Sequence, residues 1–239
     1  MRFLLTVLSM LSVCLAAQDK PALGCWMINE GSGTVIRNAA GTLDGTLKDP
    51  GMTKWIPGPN GPALLFRNPA KAPKNAWITL PLPKDFQAEK GFTVLVTVRT
   101  PESFPVKQQR GRQYEIVNFT PGLTHIKGFR LAMAWGSFWF HLGDGKTLWR
   151  VEPKGSRLKI QPLTWYRIAA VYDGNTARLY VDGELHAEKT DIKIIPGVKQ
   201  LSVGASKGKY YGFDGVIGNL RVYDHPLSEQ QVREYSLDE

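Results

Sequence analysis

The sequence predicts an all-β protein: an antiparallel two-sheet β-sandwich or jelly roll with a short C-terminal helix. Short runs of β-forming residues are separated by turn signals about every 8 to 12 residues, a spacing typical of sandwiches. The chain has 239 residues, 43% of them hydrophobic and 21% charged, with 24 Gly and 16 Pro. This composition supports one good core, and no long linker or internal repeat divides the chain.

The N-terminus has the pattern of a secretory signal peptide. Arg2 precedes an apolar run that ends in small residues at Ala17, just before a polar segment. Such a run is too short to span a membrane comfortably. We therefore expect residues 1–17 to be a signal peptide and residues 18–239 to form a single domain, secreted to the extracellular space or the periplasm.

Cysteine usage leaves one alternative open at the N-terminus. Cys14 lies where a lipid-modified cysteine would stand, although the preceding Val13 is unfavourable for that modification. If Cys14 is removed with the signal, Cys25 is alone and no internal disulfide is possible. Cys25 lies in the apolar segment ALGCWMI, which predicts a buried strand with the thiol packed as a small hydrophobe.

The clearest strand is GFTVLVTVRT, residues 91–100, in which side chains alternate between two faces. One predicted face consists of Phe92, Val94, Val96 and Val98, and the other includes Thr93, Thr97 and Arg99. The segment from Pro50 to Pro83 is rich in proline and glycine, which predicts loops and edge strands. Near the C-terminus, Ser228 and Gln231 have the spacing of a capping box and predict a helix of one or two turns.

Asp-Gly pairs predict the corners of an antiparallel sheet. The segments WYRIAAVY and ARLYV flank the turn Asp173–Thr176, which places Ile168 opposite Val181. The same register places Ala170 opposite Leu179. On the opposite face it pairs Arg167 with Asp182 and Val171 with Arg178. Asp182-Gly183 then predicts a type I′ turn, because this pair readily adopts positive φ angles.

A second hairpin is predicted in FWFHLGDGKTLWRV, residues 138–151. With Asp144-Gly145 alone at the turn, Phe140 faces Trp149 and Trp139 faces Arg150. Trp139, His141 and Arg150 then share one face of the hairpin, and a one-residue slip in register would exchange the faces.

Three segments together resemble the laminin-G-like, concanavalin A-type jelly-roll domains. They are CWMINEGSGTVIRNAAGTLDGTL, GPALLFRNPAKAPKNAWITLP and, most tellingly, LSVGASKGKYYGFDGVIGNLRVYDHPLSEQQV. The last ends with the Phe-x-Gly, strand, Tyr and Leu-Ser helix pattern of that family. The resemblance covers residues 22–236 and implies the fold of the whole mature chain. It implies less about function, because the scaffold carries lectins, glycan-binding modules, glycosidases and adhesive domains.

Catalytic motifs are missing from the sequence. Glycosidases that resemble laminarinases carry Glu-x-Asp-x-x-Glu on one strand, so that period-two spacing aims the carboxylates into one cleft. The chain has no such motif and no His-Glu-x-x-His. We expect a protein that is not an enzyme, with a glycoside hydrolase as the most distant alternative.

The resemblance also implies a calcium site near the first loop and the last strand. Asn38 stands where the family usually has Asp, and Ile217-Gly218-Asn219 stands where it often has Ile-Asp-Glu. Both departures remove negative charge that a hard cation prefers. Asp44 and Glu30 remain nearby. We expect no cofactor, and a calcium site near Asn38 and Asp44 that is weak or absent.

A sugar site requires an aromatic platform with a few polar groups beside it. The candidate ligand-binding residues are aromatic or polar side chains that lie in loops or at strand positions facing away from the core. They are Trp135, Trp139, His141, Arg150, Tyr210 and Tyr211. Trp26, Trp77 and Trp165 lie inside strand patterns and are expected in the core.

The chain is basic, with 30 Lys and Arg against 21 Asp and Glu, a net charge of +9 and a pI near 9.5. Basic clusters occur at residues 107–112, 154–159 and 207–209. Such a surface attracts polyanions, and no nucleic-acid-binding signature is present. The expected partner is a polysaccharide or glycoconjugate, with acidic glycans favoured. The alternative is a module that binds a cell-surface protein without sugar specificity. No transmembrane segment is expected.

Overall fold

The computed structural model describes residues 21–59, 61–68, 74–104, 113–121, 127–153, 159–206 and 211–237. Two antiparallel sheets stack face to face, and a short C-terminal helix packs on the outer face of the first sheet. This architecture confirms the predicted β-sandwich. The signal peptide expected at residues 1–17 lies outside the described residues. Among the helices that are described, none has the length and apolar character needed to cross a membrane.

The strands follow one another along the chain, and the helix comes after the last of them. Their bounds are β1 Gly24–Trp26, β2 Val35–Ile36, β3 Gly45–Lys48, β4 Thr53–Gly58, β5 Gly61–Phe66, β6 Trp77–Pro81, β7 Phe92–Arg99, β8 Gln113–Asn118, β9 Lys127–Ala134, β10 Ser137–Asp144, β11 Leu148–Val151, β12 Trp165–Tyr172, β13 Ala177–Val181, β14 Glu184–Lys189, β15 Gln200–Val203, β16 Val216–Tyr223 and α1 Glu229–Leu237.

Each sheet has eight strands. The first has the order β14-β13-β12-β7-β16-β5-β4, and β1 also pairs with β16. The second has the order β11-β10-β9-β8-β15-β6-β3-β2. Strands distant in sequence, such as β7 and β16, lie side by side, which is the long-range pairing typical of a jelly roll.

The core forms where the inner faces of the two sheets meet. In β7 the predicted alternation is present: Phe92, Val94, Val96 and Val98 all contribute to the core. An aromatic cluster lies at its centre, where the rings of Phe92 and Phe129 stack with centroids 4.2 Å apart. Such ring pairs add to the free energy gained by burying their apolar area.

The outer face of β7 is also covered. Leu95 packs with Val232 and Tyr235 of α1, so the helix buries part of the outer face of the first sheet. The helix begins with the predicted capping box. The backbone N–H of Ser228 donates to Oε1 of Gln231 at 2.8 Å, and the backbone N–H of Gln231 donates to Oγ of Ser228 at 3.3 Å.

The hairpin of β12 and β13 has the predicted register. Ile168 pairs with Val181, Ala170 with Leu179 and Val171 with Arg178. Asp182 and Gly183 both have positive φ angles, 49° and 82°, as a type I′ turn requires.

The register predicted for β10 and β11 is wrong by two residues. Phe140 pairs with Val151 rather than Trp149, and Arg150 pairs with His141 rather than Trp139. The turn contains four residues, Asp144–Thr147, because Oδ1 of Asp144 accepts hydrogen bonds from the backbone N–H groups of Lys146 and Thr147. Asp173–Thr176 closes in the same way. The shared Asp-Gly-x-Thr pattern was the signal for a four-residue turn.

The Pro-rich segment holds three strands rather than loops and edges alone. β4 does lie at an edge of the first sheet, but β6 lies inside the second sheet, between β15 and β3. Pro62 is the second residue of β5 and Pro81 the last of β6. Proline at a strand end removes little from the hydrogen-bonded ladder, and so the strands are tolerated.

The tryptophans divide between the core and the outer faces. Trp26 is buried in the core, as expected, beside the buried free thiol of Cys25. Trp77 and Trp165 are only half-buried and lie outside the core, which contradicts the expectation for both. Each begins a strand, and its parity places the side chain on the outer face of its sheet.

Replacement of Phe129 tests the aromatic core. Phe129→Ala removes a fully buried ring from the centre of the sandwich, and we expect the free energy of unfolding to fall by about 3–5 kcal/mol. Chemical denaturation measures the change. Leu185→Ala is the control, because Leu185 is 46% exposed and its loss should change stability by no more than about 0.5 kcal/mol. Equal losses in the two variants would contradict this placement of the core.

Candidate functional site

A row of polar side chains crosses the outer face of the second sheet from strand to strand. Successive members lie directly opposite one another in neighbouring strands: Arg150, His141, Arg130, Asn118, Ser202, Thr79 and Thr46. The outer face of a sandwich is usually solvated. Here Arg130 is 9% exposed and His141 and Asn118 are 1% exposed, so these polar groups must satisfy one another.

His141 is held between a cation and a carboxylate. Nε of Arg130 donates to Nδ1 of His141 at 3.3 Å, and Nε2 of His141 lies 2.7 Å from Oε1 of Glu152. Since Nδ1 accepts a hydrogen bond, the ring proton belongs on Nε2, where it is donated to Glu152. Burial lowers the pKa of His141, and the charge of Arg130 lowers it further, against the opposing effect of Glu152. The imidazole is therefore held neutral in one tautomer.

Glu115 is a second carboxylate on this face, and it is fully buried. Its Oε1 accepts a hydrogen bond from Nδ2 of Asn118 at 2.9 Å, and its Oε2 lies 3.8 Å from Nη1 of Arg130. That Oε2 has no hydrogen bond among the described residues. Burial raises the pKa of Glu115, while Arg130 and then Asn118 act in the opposite direction. Arg130 thus links Glu115 to His141, while Glu152 contacts His141 directly.

Aromatic side chains lie beside this network. The Trp139 ring stacks on His141 with centroids 5.3 Å apart, and the Trp135 ring meets Trp139 edge-on at 4.4 Å. Trp135 and Gly136 form the tight turn between β9 and β10, with φ angles of 51° and 73°. On the other side, the Tyr211 ring lies 5.9 Å from the Arg130 guanidinium carbon. The carbonyl of Tyr211 accepts a hydrogen bond from the backbone N–H of Glu115 at 2.7 Å.

A small cavity of about 70 Å³ opens at the tryptophan pair. Its walls are Ala134, Trp135, Ser137, Trp139, Glu152 and Pro153. The indole N–H of Trp135 is buried and has no hydrogen-bond acceptor among the described residues. The cavity therefore combines an aromatic wall, an unsatisfied donor and the partly exposed carboxylate of Glu152, which is the chemistry needed to bind a small polar ligand.

The structure brings most of the sequence-predicted site residues together. Trp135, Trp139 and His141 lie at the cavity or directly behind it, and Arg150 is an exposed neighbour of His141 on the same face. Trp139 and His141 are too buried to serve as an open platform. Tyr211 lies on the far side of Arg130, and Tyr210 lies outside the described residues.

Sequence reasoning missed the charged residues that organise the face: Glu115, Arg130 and Glu152. Glu115 and Arg130 interrupt the otherwise largely apolar strands β8 and β9. Charged residues inside such strands are rarely buried unless paired, so their positions were the available signal.

The loop predicted to hold a weak calcium site is built from hydrogen bonds. Oδ1 of Asn38 accepts from the backbone N–H groups of Cys25 and Ala40, and Oδ1 of Asp44 accepts from that of Asn38. No group of three or more His, Cys, Asp or Glu side chains that could hold a metal occurs within the described residues. The weakness or absence of the calcium site stays a prediction.

The fold and this face define the class of protein. Two stacked eight-stranded sheets, with a helix on one outer face and a polar, aromatic row on the other, form a jelly-roll sandwich in the described part of the chain. The model of the concanavalin A-like lectin/glucanases superfamily matches residues 72–233, and the chain belongs to that superfamily. No curated protein matches the sequence at a significant level.

Several solved structures share the fold. The binding domain of Paraclostridial Mosquitocidal Protein 1 is 16% identical with a TM-score of 0.67, covering 90% of this chain and 51% of that one. The botulinum neurotoxin serotype D binding domain is 11% identical with a TM-score of 0.67, covering 91% and 52%. Trypanosoma rangeli sialidase, in complex with the inhibitor DANA, is 14% identical with a TM-score of 0.64, covering 90% and 32%.

These likenesses concern the fold alone, because identities of 11–16% carry no information about individual site residues. The chain spans about half the length of the two binding domains and about a third of the sialidase.

The protonation of His141 tests the network directly. We expect its pKa, measured from imidazole NMR signals, to lie below the ordinary value of 6.5. A depressed pKa contributes stability that is present above pH 6.5 and lost as the pH falls through the folded-state pKa. The variant His141→Gln assigns the NMR signal. It should also remove the loss of stability that His141 causes as the pH falls. A pKa at or above 6.5 would contradict the arrangement of Arg130 and Glu152.

The pH dependence of stability that Glu115 contributes should have the opposite sign from that of His141. Because burial raises its pKa, its contribution is present below the ordinary value of 4.5 and lost as the pH rises through the folded-state pKa. Glu115→Gln keeps the acceptor for Asn118 without the charge. We expect the free energy of unfolding of the variant, relative to the parent, to increase as the pH is raised. A difference that stays constant with pH would mean that Glu115 ionises equally easily in both states.

Proposed function

We propose that the protein is an exported, non-catalytic carbohydrate-binding module whose sugar site is the cavity beside Trp135 on the second sheet. One observation carries the proposal: this cavity joins an aromatic wall to an unsatisfied indole N–H and a partly exposed carboxylate. Pyranose rings stack their C–H faces on aromatic rings and fix their orientation through hydroxyl hydrogen bonds.

In the proposed complex, Trp135 and Glu152 contact the sugar, whereas Trp139 and His141 position them. Glu152 accepts a hydrogen bond from His141 and can accept another from a sugar hydroxyl, since a carboxylate has four lone-pair sites. Trp139 lies between His141 and Trp135 and sets the orientation of the Trp135 ring. Arg150 stands on the same face and can contact a longer glycan.

Two features support binding without catalysis. Both ring nitrogens of His141 have partners, so neither is available as a general base in this arrangement. Glu115 is sealed from solvent, whereas Glu152 is 31% exposed, so the two carboxylates do not face a substrate together. A glycosidase needs two carboxylates on opposite sides of the scissile bond.

The structural neighbours are consistent with a binding role. Two of them are binding domains, and the third is an enzyme, a sialidase in complex with an inhibitor. We propose glycoconjugates of the extracellular space or the periplasm as the partners of this chain. The net charge of +9 favours acidic glycans among them.

A protein-interaction module is the second candidate, and one surface favours it. The hairpin of β4 and β5 lines a shallow cavity of about 680 Å³, with walls that include Trp55, Ile56, Pro57 and Pro62. β4 is also an edge strand of the first sheet. Exposed apolar area beside a free strand edge is a common feature of protein contacts.

Replacement of Trp135 tests the sugar site. We expect residues 18–239 to give selective signal on a few related glycans of a microarray. Trp135→Ala should weaken that binding about tenfold or more, equivalent to about 1.4 kcal/mol, because it removes the stacking ring. Affinities come from calorimetric titration of the best glycan. Circular dichroism checks that the variant is folded.

The matched control is Trp77→Ala, which removes a half-buried tryptophan at the start of β6 in the same sheet, outside the cavity. Its glycan affinity should equal that of the parent. A blank array would favour the protein-interaction module. A uniformly weak signal on every acidic glycan, unchanged by Trp135→Ala, would contradict a specific site. Such binding would be explained by the general attraction between a basic surface and polyanions.

A further inference from the structure

The outer face of the first sheet carries a second aromatic and basic cluster. Trp165 of β12 lies directly opposite Arg99 of β7, and Arg167 lies opposite Thr97, the next outward pair along the same two strands. All four side chains point away from the core, because the intervening residues of both strands form it. Diagonal neighbours on one face of a sheet are within reach of long side chains, which brings Arg99 and Arg167 to one place.

Helix α1 covers only part of this face. Tyr235 packs beside Leu95, and its hydroxyl lies 3.3 Å from Oγ1 of Thr97. Beyond that contact, Arg99, Trp165 and Arg167 remain half-buried. The cluster therefore lies at the margin of the helix, where a ligand can reach it.

A β-bulge shapes a cavity next to Trp165. The pairing of β16 with β7 shifts between Ile217 and Leu220, and Gly218 lies in the shifted segment. A Cβ atom on Gly218 would lie 3.7 Å from Cζ3 of Trp165, so the indole reaches across β7 to β16. The resulting cavity is small, about 20 Å³, and its walls include Met27, Asn29, Pro62, Thr97, Trp165 and Asn219.

The cluster contains two arginines, and positive charge predominates in it. The Arg99 guanidinium carbon lies 6.0 Å from the centroid of the Trp165 ring. Nε of Arg99 and Nε of Arg167 are both buried and have no hydrogen-bond acceptor among the described residues. Asp182 lies beside Arg167, and its Oδ1 accepts a hydrogen bond from the backbone N–H of Arg167 at 2.8 Å. A buried Nε–H without an acceptor carries an energetic cost, and the rest of each half-buried guanidinium group can bind an anion.

We propose that this cluster is a second ligand site, which binds a saccharide carrying a carboxylate or sulfate group through Arg99, Trp165 and Arg167. A guanidinium group binds a planar or tetrahedral oxyanion with two parallel N–H bonds. The Trp165 ring supplies the apolar surface for the pyranose, and the exposed amide of Asn29 lies at the rim for hydroxyl groups. The site is independent of the cavity at Trp135, which lies on the other sheet.

Titration of the mature chain with monosaccharides tests the proposal. Glucuronic acid and glucose 6-sulfate are the anionic probes, and glucose is the neutral probe. The readout is the NMR signal of the Trp165 indole N–H, assigned with Trp165→Phe. We expect both anionic sugars to shift this signal saturably and glucose to leave it unmoved. Comparison of the two anionic probes shows whether carboxylate or sulfate is preferred. A Trp165 signal that no anionic sugar moves would overturn the proposal.

The arginine variants separate a built site from general attraction. Arg99→Gln and Arg167→Gln should each weaken binding of the preferred anionic sugar by about tenfold, as expected when one bidentate charge-assisted pair is lost. Lys48→Gln is the matched control, because it removes one positive charge from an exposed position in β3 of the other sheet, outside both proposed sites. Equal weakening by all three substitutions would reduce the effect to net charge and overturn the proposal.

A further variant distinguishes this site from the one proposed above. Trp135→Ala should leave the Trp165 shifts unchanged, whatever its effect on the glycan array. If Trp135→Ala abolishes the shifts, the anionic sugar binds at the second sheet, and the site on the first sheet is wrong.

Discussion

The constraint on which this structure depends is that each sheet has a buried area on both of its faces. The inner faces share the core around Phe92 and Phe129. On the first sheet the outer burial is apolar and is provided by α1. On the second sheet the outer burial contains Glu115, Arg130 and His141. Buried charges are tolerated where they are paired and hydrogen-bonded, so Arg130 must contact both other residues at once. The tautomer of His141 and the position of Glu152 follow from that requirement.

Much of the fold could be predicted because local chemistry determines it. Asp182-Gly183 fixed a hairpin register through its positive φ angles, and Ser228 with Gln231 fixed the start of the helix. The register at Asp144 was wrong because Asp-Gly was taken as a two-residue turn, whereas the side chain of Asp144 closes a four-residue turn through Thr147. A local motif determines register only when all of its residues are included.

The candidate site was predictable only in part, for a different reason. Period-two parity correctly placed Trp139, His141 and Arg150 on one face, even though the hairpin register was wrong, because a two-residue shift preserves the face. Parity does not reveal what covers a face, and so it could not show that Trp139 and His141 are buried. Trp165 was expected in the core because it lies inside a strand pattern, although a register with Ile168 and Ala170 facing inward gives Trp165 the outward parity. The contacts of Arg130 with β8 and β10 depend on strand neighbours that the sequence does not specify.

The two outer faces differ in charge, and this difference bears on how a basic protein could select a glycan. On the second sheet the arginines Arg130 and Arg150 are accompanied by Glu115 and Glu152. A ligand carboxylate placed there would meet acidic groups as well as basic ones. On the first sheet Arg99 and Arg167 have no ion pair among the described residues. Net charge alone draws polyanions to the whole surface, whereas arginines beside an aromatic ring can discriminate an anionic sugar from its neutral counterpart. If both proposed sites bind sugars, we therefore expect selectivity for acidic glycans on the first sheet and binding of a neutral ring at Trp135.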